Sequence, residues 1–458
     1  MSYTPLAIDA ARGMPQPDTV PSNDVLPKAV DHAIIGGGII GVCAAFALAE
    51  QGKSVALFEK GRVAGEQSSR NWGFCRIIDR DLKEIPLAQE ALRIWHTLHE
   101  KTGADLGFRR TGIFEATYTE KELAAHEDWL RKAQEFDVDA CILSANETIE
   151  RTRAAPNAGF NGALFGPNEG RAEPQWAAPR IAMAAQSRGN LSIHQNCAVR
   201  SIESKAGRVH SVVTEKGEVL CDSVLLAGGM WSRLMLKTLG VTFPQLTVRS
   251  SVTRVRPVGS GALPETAIYC PRFGIRPHLD GSISIAAGVS ATADITPDYF
   301  RFFLKFLPAL LADWETLHPR FGRHFFHALR NYRSPDAQSV SVFEDIRINA
   351  SQPLLKRNLA ALENAAAVFP GLANAKTLID WAGLIDVTPD AVPCIDEIPA
   401  LPGLFLASGF SGHGFGIGPG AGYLAADLMT GKTPRVDPRA FAFARFNDGT
   451  KLRPMSGL

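Results

Sequence analysis

One short segment constrains this chain more than any other. The apolar run His32–Ile35 reads as a buried strand and leads directly into Gly36-Gly37-Gly38-Ile39-Ile40-Gly41. An alanine-rich helix follows through about Gln51, with Gly52 as its C-cap. Ser54–Phe58 is a second strand, ending at Glu59. The glycines of this β-α-β unit do different things. Gly36 makes the tight turn, Gly38 lets backbone approach a pyrophosphate, and Gly41 lets helix and strand pack closely. Ile39 and Ile40 open the helix, whose free N–H groups and partial positive charge face the phosphates. Glu59, with Lys60 beside it, lies 18 residues after Gly41, close to the spacing of about 20 expected of an acid that binds ribose hydroxyls. The unit therefore predicts a dinucleotide site. It also explains the uncharged stretch Ala33–Ala49 better than a membrane span does, since three of its first six residues are glycine.

The rest of the chain alternates between this character and another. Residues 1–30 carry prolines at 5, 15, 17, 21 and 27 and read as an extended surface arm. Residues 31–83, 166–245 and 351–435 form one discontinuous domain that binds the nucleotide. The second domain comprises residues 84–165 and 246–350 and would bind the substrate. Residues 436–458 read as a C-terminal tail. Within the second domain, helices are expected at Leu87–Glu100 and Glu120–Glu135, and strands at 112–118, 248–256, 265–270 and 282–287. The chain holds 48 Lys plus Arg against 47 Asp plus Glu, too balanced for the basic footprint of nucleic-acid binding. Its seven cysteines include no C-x-x-C pair, so neither a disulfide framework nor a metal site is expected. Reduced thiols and the absence of a signal-peptide pattern point to the cytoplasm, with no transmembrane segment and a homo-oligomer left open.

Two distant segments help to choose the dinucleotide. Val224–Ala227 is a strand ending in Gly228-Gly229, with Trp231 after it. Leu404–Ala407 is a strand followed by the glycine-rich loop Ser408–Gly422 and a helix over Tyr423–Met429. The loop would aim a second helix N-terminus at the site. One N-terminus suits a pyrophosphate, and a second suits a group that becomes anionic in turnover, as reduced flavin does and nicotinamide does not.

These residues together resemble the FAD-dependent D-amino-acid oxidase superfamily, especially its glycine oxidase, sarcosine oxidase and gamma-glutamylputrescine oxidase branches. The resemblance spans roughly residues 31–435. It rests on Ile34–Gly41 with Glu59, Ser68-Ser69-Arg70-Asn71-Trp72-Gly73, Ala227-Gly228-Gly229, Trp381-Ala382-Gly383-Leu384 with Thr388-Pro389-Asp390 and Pro393, and Gly409–Gly416. It implies an α/β fold in which a Rossmann-like, glutathione-reductase-type domain holds elongated FAD. An interleaved α+β domain, built on a mostly antiparallel sheet, would cover the flavin. Ser68–Gly73 would lie beside the flavin, Val199 would meet the adenine end, and Gly412, His413, Gly414, Phe415, Gly416 and Ile417 would approach the pyrimidine edge. The family reaction moves a hydride from the carbon beside an uncharged amine to flavin N5, and the resulting imine hydrolyses. Alignment, desolvation and loss of the ammonium proton carry such chemistry, so no dedicated acid–base pair is required.

The substrate is expected to be a primary or secondary amine, an amino acid or N-substituted amino acid, with O2 or another electron acceptor. A quinone- or acceptor-linked dehydrogenase, and a FAD-binding subunit of an opine- or sarcosine-type oxidase, stand as alternatives. Glycine oxidase-like members place an arginine directly after W-A-G-L, but here that position is Ile385. Three residues remain as catalytic candidates. Arg76 resembles an arginine that sarcosine oxidase-like members keep near the flavin. Arg276 falls where those oxidases carry a lysine linked to oxygen activation, which leaves carboxylate anchoring and altered oxygen reactivity both open. His413 stands between glycines beside the proposed flavin site. His278 and Tyr269 are weaker candidates, and Cys75 and Cys270 read as buried thiols. The aromatic and basic stretch 297–332 reads either as a membrane-docking face or as a helix pair packed on the substrate domain or a partner, and Pro308 and Pro319 favour the second.

Overall fold

A computed structural model describes residues 8–9, 13–259, 261–288, 290–312, 314–331 and 340–455. Its first sheet has eight strands. Leu191–His194, Val55–Phe58, Ala29–Ile35, the distal half of Gly217–Leu226, and Leu404–Ser408 run parallel in that order. Val199–Lys205 and Arg208–Thr214 extend the sheet antiparallel from the proximal half of Gly217–Leu226, and Cys394–Glu397 pairs antiparallel with Leu404–Ser408. The register brings Ile35, Phe58, Leu226 and Leu406 level. Gly36, Glu59 and Ala227 therefore leave the carboxyl ends of three adjacent strands together, where open α/β sheets bind their ligands.

Helix Ile39–Glu50 is apolar all round, and every residue from Ile39 to Ala49 is buried. Such a helix is stable only inside a layer of other elements. Ala177–Gln186 and Gly418–Thr430 flank it. A side chain at Gly422 would put its Cβ 2.5 Å from that of Cys43, and one at Gly41 would strike the Gly36 carbonyl oxygen.

The second sheet has ten strands and is mostly antiparallel. Its spine is the long pair Leu246–Arg256 and Lys376–Val387. Ile283–Ala286, Phe273–Pro277 and Ala267–Cys270 extend it on one side. Parallel pairing occurs at Ala267–Cys270 with Ile113–Thr117 and at Ala291–Asp294 with Leu317–Arg320. Helix Leu355–Val368 packs on this sheet, sharing a core with Phe273, Ile275 and Ile285.

Several boundaries differ from those expected. Helix Ile85–Thr102 shares the core of the first sheet, because its apolar stripe meets Gly418–Thr430. Residues 355–387 belong to the second sheet, because Lys376–Val387 finds its partner in Leu246–Arg256. The segment from Met14 onward is not a loose arm: Met14 and Val20 are buried, and the amides of Asp18 and Asn23 donate to Gln175 and Ile193. The tail is also anchored, by buried Phe441, Phe443 and Phe446 and by the Arg445–Asp390 ion pair at 2.9 Å. The last helix starts at Gly418, five residues before the expected Tyr423. Residues 297–331 contain helices Pro297–Arg301, Phe303–Ala312 and Arg323–Asn331 around an edge strand, Leu317–Arg320. Phe302 is buried there, while Phe300, Leu304, Trp314, Phe321 and Phe326 are exposed. No helix among the described residues is long and apolar enough to cross a membrane.

Candidate functional site

A cavity of about 470 Å³ runs from the carboxyl ends of the first sheet to the inner face of the second. At one end it is lined by Gly36, Gly38, Ile39, Ile40, Glu59, Lys60, Val199, Ala227, Gly228 and Trp231. Ser68, Arg70, Asn71, Trp72 and Gly73 line its middle, and Arg76, Gly412, His413, Gly414, Phe415 and Gly416 line the far end. Of the expected site residues, Gly41, Ser69, Ile417 and Arg276 do not line it.

The near end is built for a polar, extended ligand. Gly36 has φ +113°, a conformation few side chains tolerate, and it turns the chain from strand to helix. The Ile39 amide donates to Ser68 Oγ at 2.8 Å, and no side chain of the N-cap residue Gly38 covers the helix end. Glu59 accepts from the amides of Gly37 (2.8 Å) and Gly61 (2.7 Å), and burial pushes its carboxyl above the usual range. A half-buried acid lining a cavity beside a helix N-terminus suits the ribose and pyrophosphate of a dinucleotide. Lys60 reaches the site differently from expectation. Its ammonium donates to Glu66 and to the carbonyls of Ile346 and Arg347, and it lies 4.4 Å from the Trp231 ring centre.

The middle loop is locked by its own polar groups. Asn71 Nδ2 donates to the carbonyls of Gln67 and Ser68, and Asn71 Oδ1 accepts from the Gly73 amide at 2.7 Å. Arg70 donates to the Gly65 carbonyl and Met14 Sδ.

At the far end the loop after Leu404–Ser408 is held by Asp386, which accepts from the Gly409 amide through its carboxylate and from the Ser411 amide through its carbonyl, both at 2.8 Å. His413 Nδ1 pairs with Glu84 at 2.9 Å, and burial pushes the imidazole below its ordinary pKa. Tyr269 also lines this end. Arg76 pairs with Glu115 at 2.8 Å and donates to the Ile78 carbonyl. Burial opposes the Arg76 charge, but Glu115, Asp79 and Glu169 together outweigh it and hold the pKa above the ordinary value.

Arg276 is corrected by the structure. Its side chain is 1% exposed, and its Nη2 donates to Glu173 Oε2 at 2.9 Å while Nη1 donates to the Ala172 carbonyl at 3.2 Å. It lies behind Gly73, outside the cavity, because the Glu173 carboxylate claims it. His278 also pairs with Glu173, at 2.7 Å, and is likewise removed from the cavity. Cys75 and Cys270 are buried free thiols.

Glu84 and Arg80 were not anticipated from the sequence. Arg80 lines the far end, is 3% exposed, and has no hydrogen-bond partner at Nε or Nη1. Burial, then the neighbouring Arg76 charge, lowers its pKa to about 10. The signal available was a second arginine four residues after Arg76 in a run that also carries Asp79.

The family described as FAD dependent oxidoreductase matches residues 31–428. Over 438 residues, 94% of this chain, the sequence is 27% identical to 4-methylaminobutanoate oxidase (formaldehyde-forming) from Paenarthrobacter nicotinovorans, but it spans only 47% of that enzyme. It is 26% identical to glycine oxidase from Pseudomonas aeruginosa over 89% of this chain and 97% of that one. L-amino acid deaminase from Proteus myxofaciens, solved in complex with anthranilate, superposes with a TM-score of 0.89 at 33% identity, covering 94% of this chain and 97% of that one.

Proposed function

The chain belongs to the FAD-dependent oxidoreductase family, and from that membership we propose that it oxidises the carbon–nitrogen bond of an amino acid or N-substituted amino acid. One observation carries the reading. A single cavity is lined both by the dinucleotide crevice and by Arg76, Arg80, Tyr269 and His413.

The residues fit FAD: Gly36, Gly38 and the amides of helix Ile39–Glu50 would hold the pyrophosphate, and Glu59 would take ribose hydroxyls. Loop 412–416, Trp72 and Gly73 line the same cavity and would hold the ring system. When bound, FAD supplies the hydride acceptor. The chain itself aligns the substrate, excludes water and stabilises the uncharged amine that gives up hydride. The substrate becomes an imine, which water hydrolyses. Burial, followed by Arg80, holds the His413 imidazole below its ordinary pKa and so disfavours a positive charge at this part of the cavity. The first sheet serves the dinucleotide and the second sheet covers the reacting end. Relatives named as oxidases, and one named as a dehydrogenase, support O2 or another acceptor as the electron sink. Seven free cysteines, six of them buried, support a reducing cytoplasmic compartment.

The test is anaerobic mixing of the purified yellow protein with a panel of D- and L-amino acids, N-methyl amino acids and amines. Bleaching of the flavin by members of the amino acid set is expected. A colourless protein, or flavin left oxidised by every compound, overturns the proposal.

A further inference from the structure

We propose that the carboxylate of Asp386 holds down the reduction potential of the bound flavin, so that the reduced cofactor passes its electrons on readily; the inference rests on the flavoenzyme reading above. Asp386 stands at the end of strand Lys376–Val387, is 8% exposed and lines the cavity. Its Oδ2 accepts from the Gly409 amide at 2.8 Å and from Gln245 Nε2 at 3.0 Å, with Ser408 Oγ at 3.5 Å. All three partners are neutral, and no lysine, arginine or histidine forms an ion pair with Asp386 among the described residues. Other acids of this region are matched by a cation: Lys60 pairs with Glu66, Arg76 with Glu115 and His413 with Glu84.

A carboxylate held by neutral donors and withdrawn from water keeps its charge poorly screened. Its place in the fold decides what feels that charge. Gln245 Nε2 and Ser408 Oγ also meet the Gly229 carbonyl, at 3.1 and 3.0 Å, while Gly409 leads into residues 410–416. Asp386 therefore joins two segments that line the cavity, 228–231 and 410–416, the second of which would hold the ring system. Hydride uptake brings two electrons and one proton to that ring, and the reduced ring is left with a negative charge in its pyrimidine half. A second negative charge nearby disfavours this form and leaves the neutral oxidised ring untouched, which lowers the potential. The backbone of the same loop acts in the opposite sense. The amides of Gly412, Gly414, Phe415 and Gly416 donate to no protein acceptor among the described residues, so they are free to support an anion. Asp386 offsets them.

The test is the two-electron midpoint potential of the holoprotein, read by enzymatic reduction beside an indicator dye. Burial raises the Asp386 pKa above the ordinary carboxylate value, against the pull of its hydrogen bonds, so the measurement is made at about pH 8.5. Asp386→Asn keeps an oxygen for the Gly409 amide and deletes the charge. It should favour the reduced flavin at least about tenfold over wild type, an upward shift of about 30 mV for a two-electron couple. Asp386→Glu keeps the charge and should stay within about threefold of wild type. Gln245→Lys leaves Asp386 in place and sets a cation where a neutral amide now donates, so it too should raise the potential. It carries the test if the asparagine variant does not retain FAD. Slackening of the loop alone would scatter its free amides and lower the potential or release FAD, so the upward sign belongs to the charge. In rapid mixing, Asp386→Asn should be bleached more completely by a given substrate and reoxidised more slowly. An unchanged or lowered potential in Asp386→Asn overturns the proposal. If that variant lacks flavin, an unchanged or lowered potential in Gln245→Lys does so instead. Flavin that is reduced in the dye titration but bleached by no amine or amino acid overturns the amine-oxidation reading and leaves the comparison of potentials intact. A colourless protein overturns both.

Discussion

Arg276→Met separates a structural arginine from a substrate anchor. Arg276 and Glu173 are 1% and 3% exposed at their side chains and lie 2.9 Å apart. Removing the guanidinium leaves Glu173 with His278, the Leu279 amide and, at 3.5 Å, Arg171. Breaking a buried pair from one side costs about 3–5 kcal/mol. With about 2.1 cal/mol/K of unfolding entropy per residue, a chain of 458 residues melting as one unit has roughly 1 kcal/mol/K, so Tm should fall by about 3–5 °C. KM for carboxylated substrates should not change. The loss should also depend on pH. Burial alone would raise the Glu173 pKa, but Arg276, followed by His278, holds it well below the usual carboxylate range. A depressed folded pKa means that the stabilisation is present above about pH 4.3 and is lost as pH falls through the folded value. The Tm difference between wild type and variant should therefore be full at neutral pH and shrink on acidification. Calorimetry of the holoprotein from pH 8 down to about pH 2, beside steady-state kinetics at neutral pH, measures both. An unchanged Tm together with a raised KM would show that the guanidinium reaches the substrate and would refute the reasoning.

Other perturbations test separate parts of the fold and site. Gly38→Val adds a side chain whose Cβ meets only Ser68 Oγ, at 3.2 Å, so the chain should fold with the added methyls in the phosphate approach. The purified variant should lack FAD while its far-UV spectrum is kept, and a fully loaded yellow protein would count against the placement. Gly422→Val drives a Cβ to 2.5 Å from that of Cys43, and overpacking should cost about 1–3 kcal/mol or more, read as a lowered denaturation midpoint. Turnover should rise with pH as the substrate ammonium loses its proton. His413, held below its ordinary pKa by burial and then by Arg80, should add no second ionisation between about pH 6.5 and 8. A flat profile would exclude a neutral-amine donor.

What the sequence disclosed, and what it hid, follows from how far apart in the chain the decisive contacts lie. The Gly36–Gly41 interval was legible because turn, ligand approach and helix packing each demand a missing side chain at a fixed spacing, all within one β-α-β unit. The start of the last helix was not, although it too is a matter of glycines. Gly418, Gly420 and Gly422 argue for a loop by propensity, yet a Cβ at Gly420 would come 2.8 Å from the Leu87 carbonyl and Cβ atoms at Gly418 and Gly422 would strike Ile39 and Cys43, so packing against Ile85–Thr102 and Ile39–Glu50 is what requires them. Chain order likewise placed Trp381–Leu384 with its glycine-rich neighbours, while its ladder partner Leu246–Arg256 lies more than a hundred residues earlier. The arginines show the same limit in electrostatic form. Arg76, Arg80 and Arg276 are equivalent as letters, and what distinguishes them is which acid neutralises each one. Arg276 meets Glu173 across 103 residues, and Arg76 meets Glu115 on strand Ile113–Thr117. Arg80 meets no such acid at Nε or Nη1. Which acid claims a charged side chain is settled only when the chain has folded and brought distant segments together.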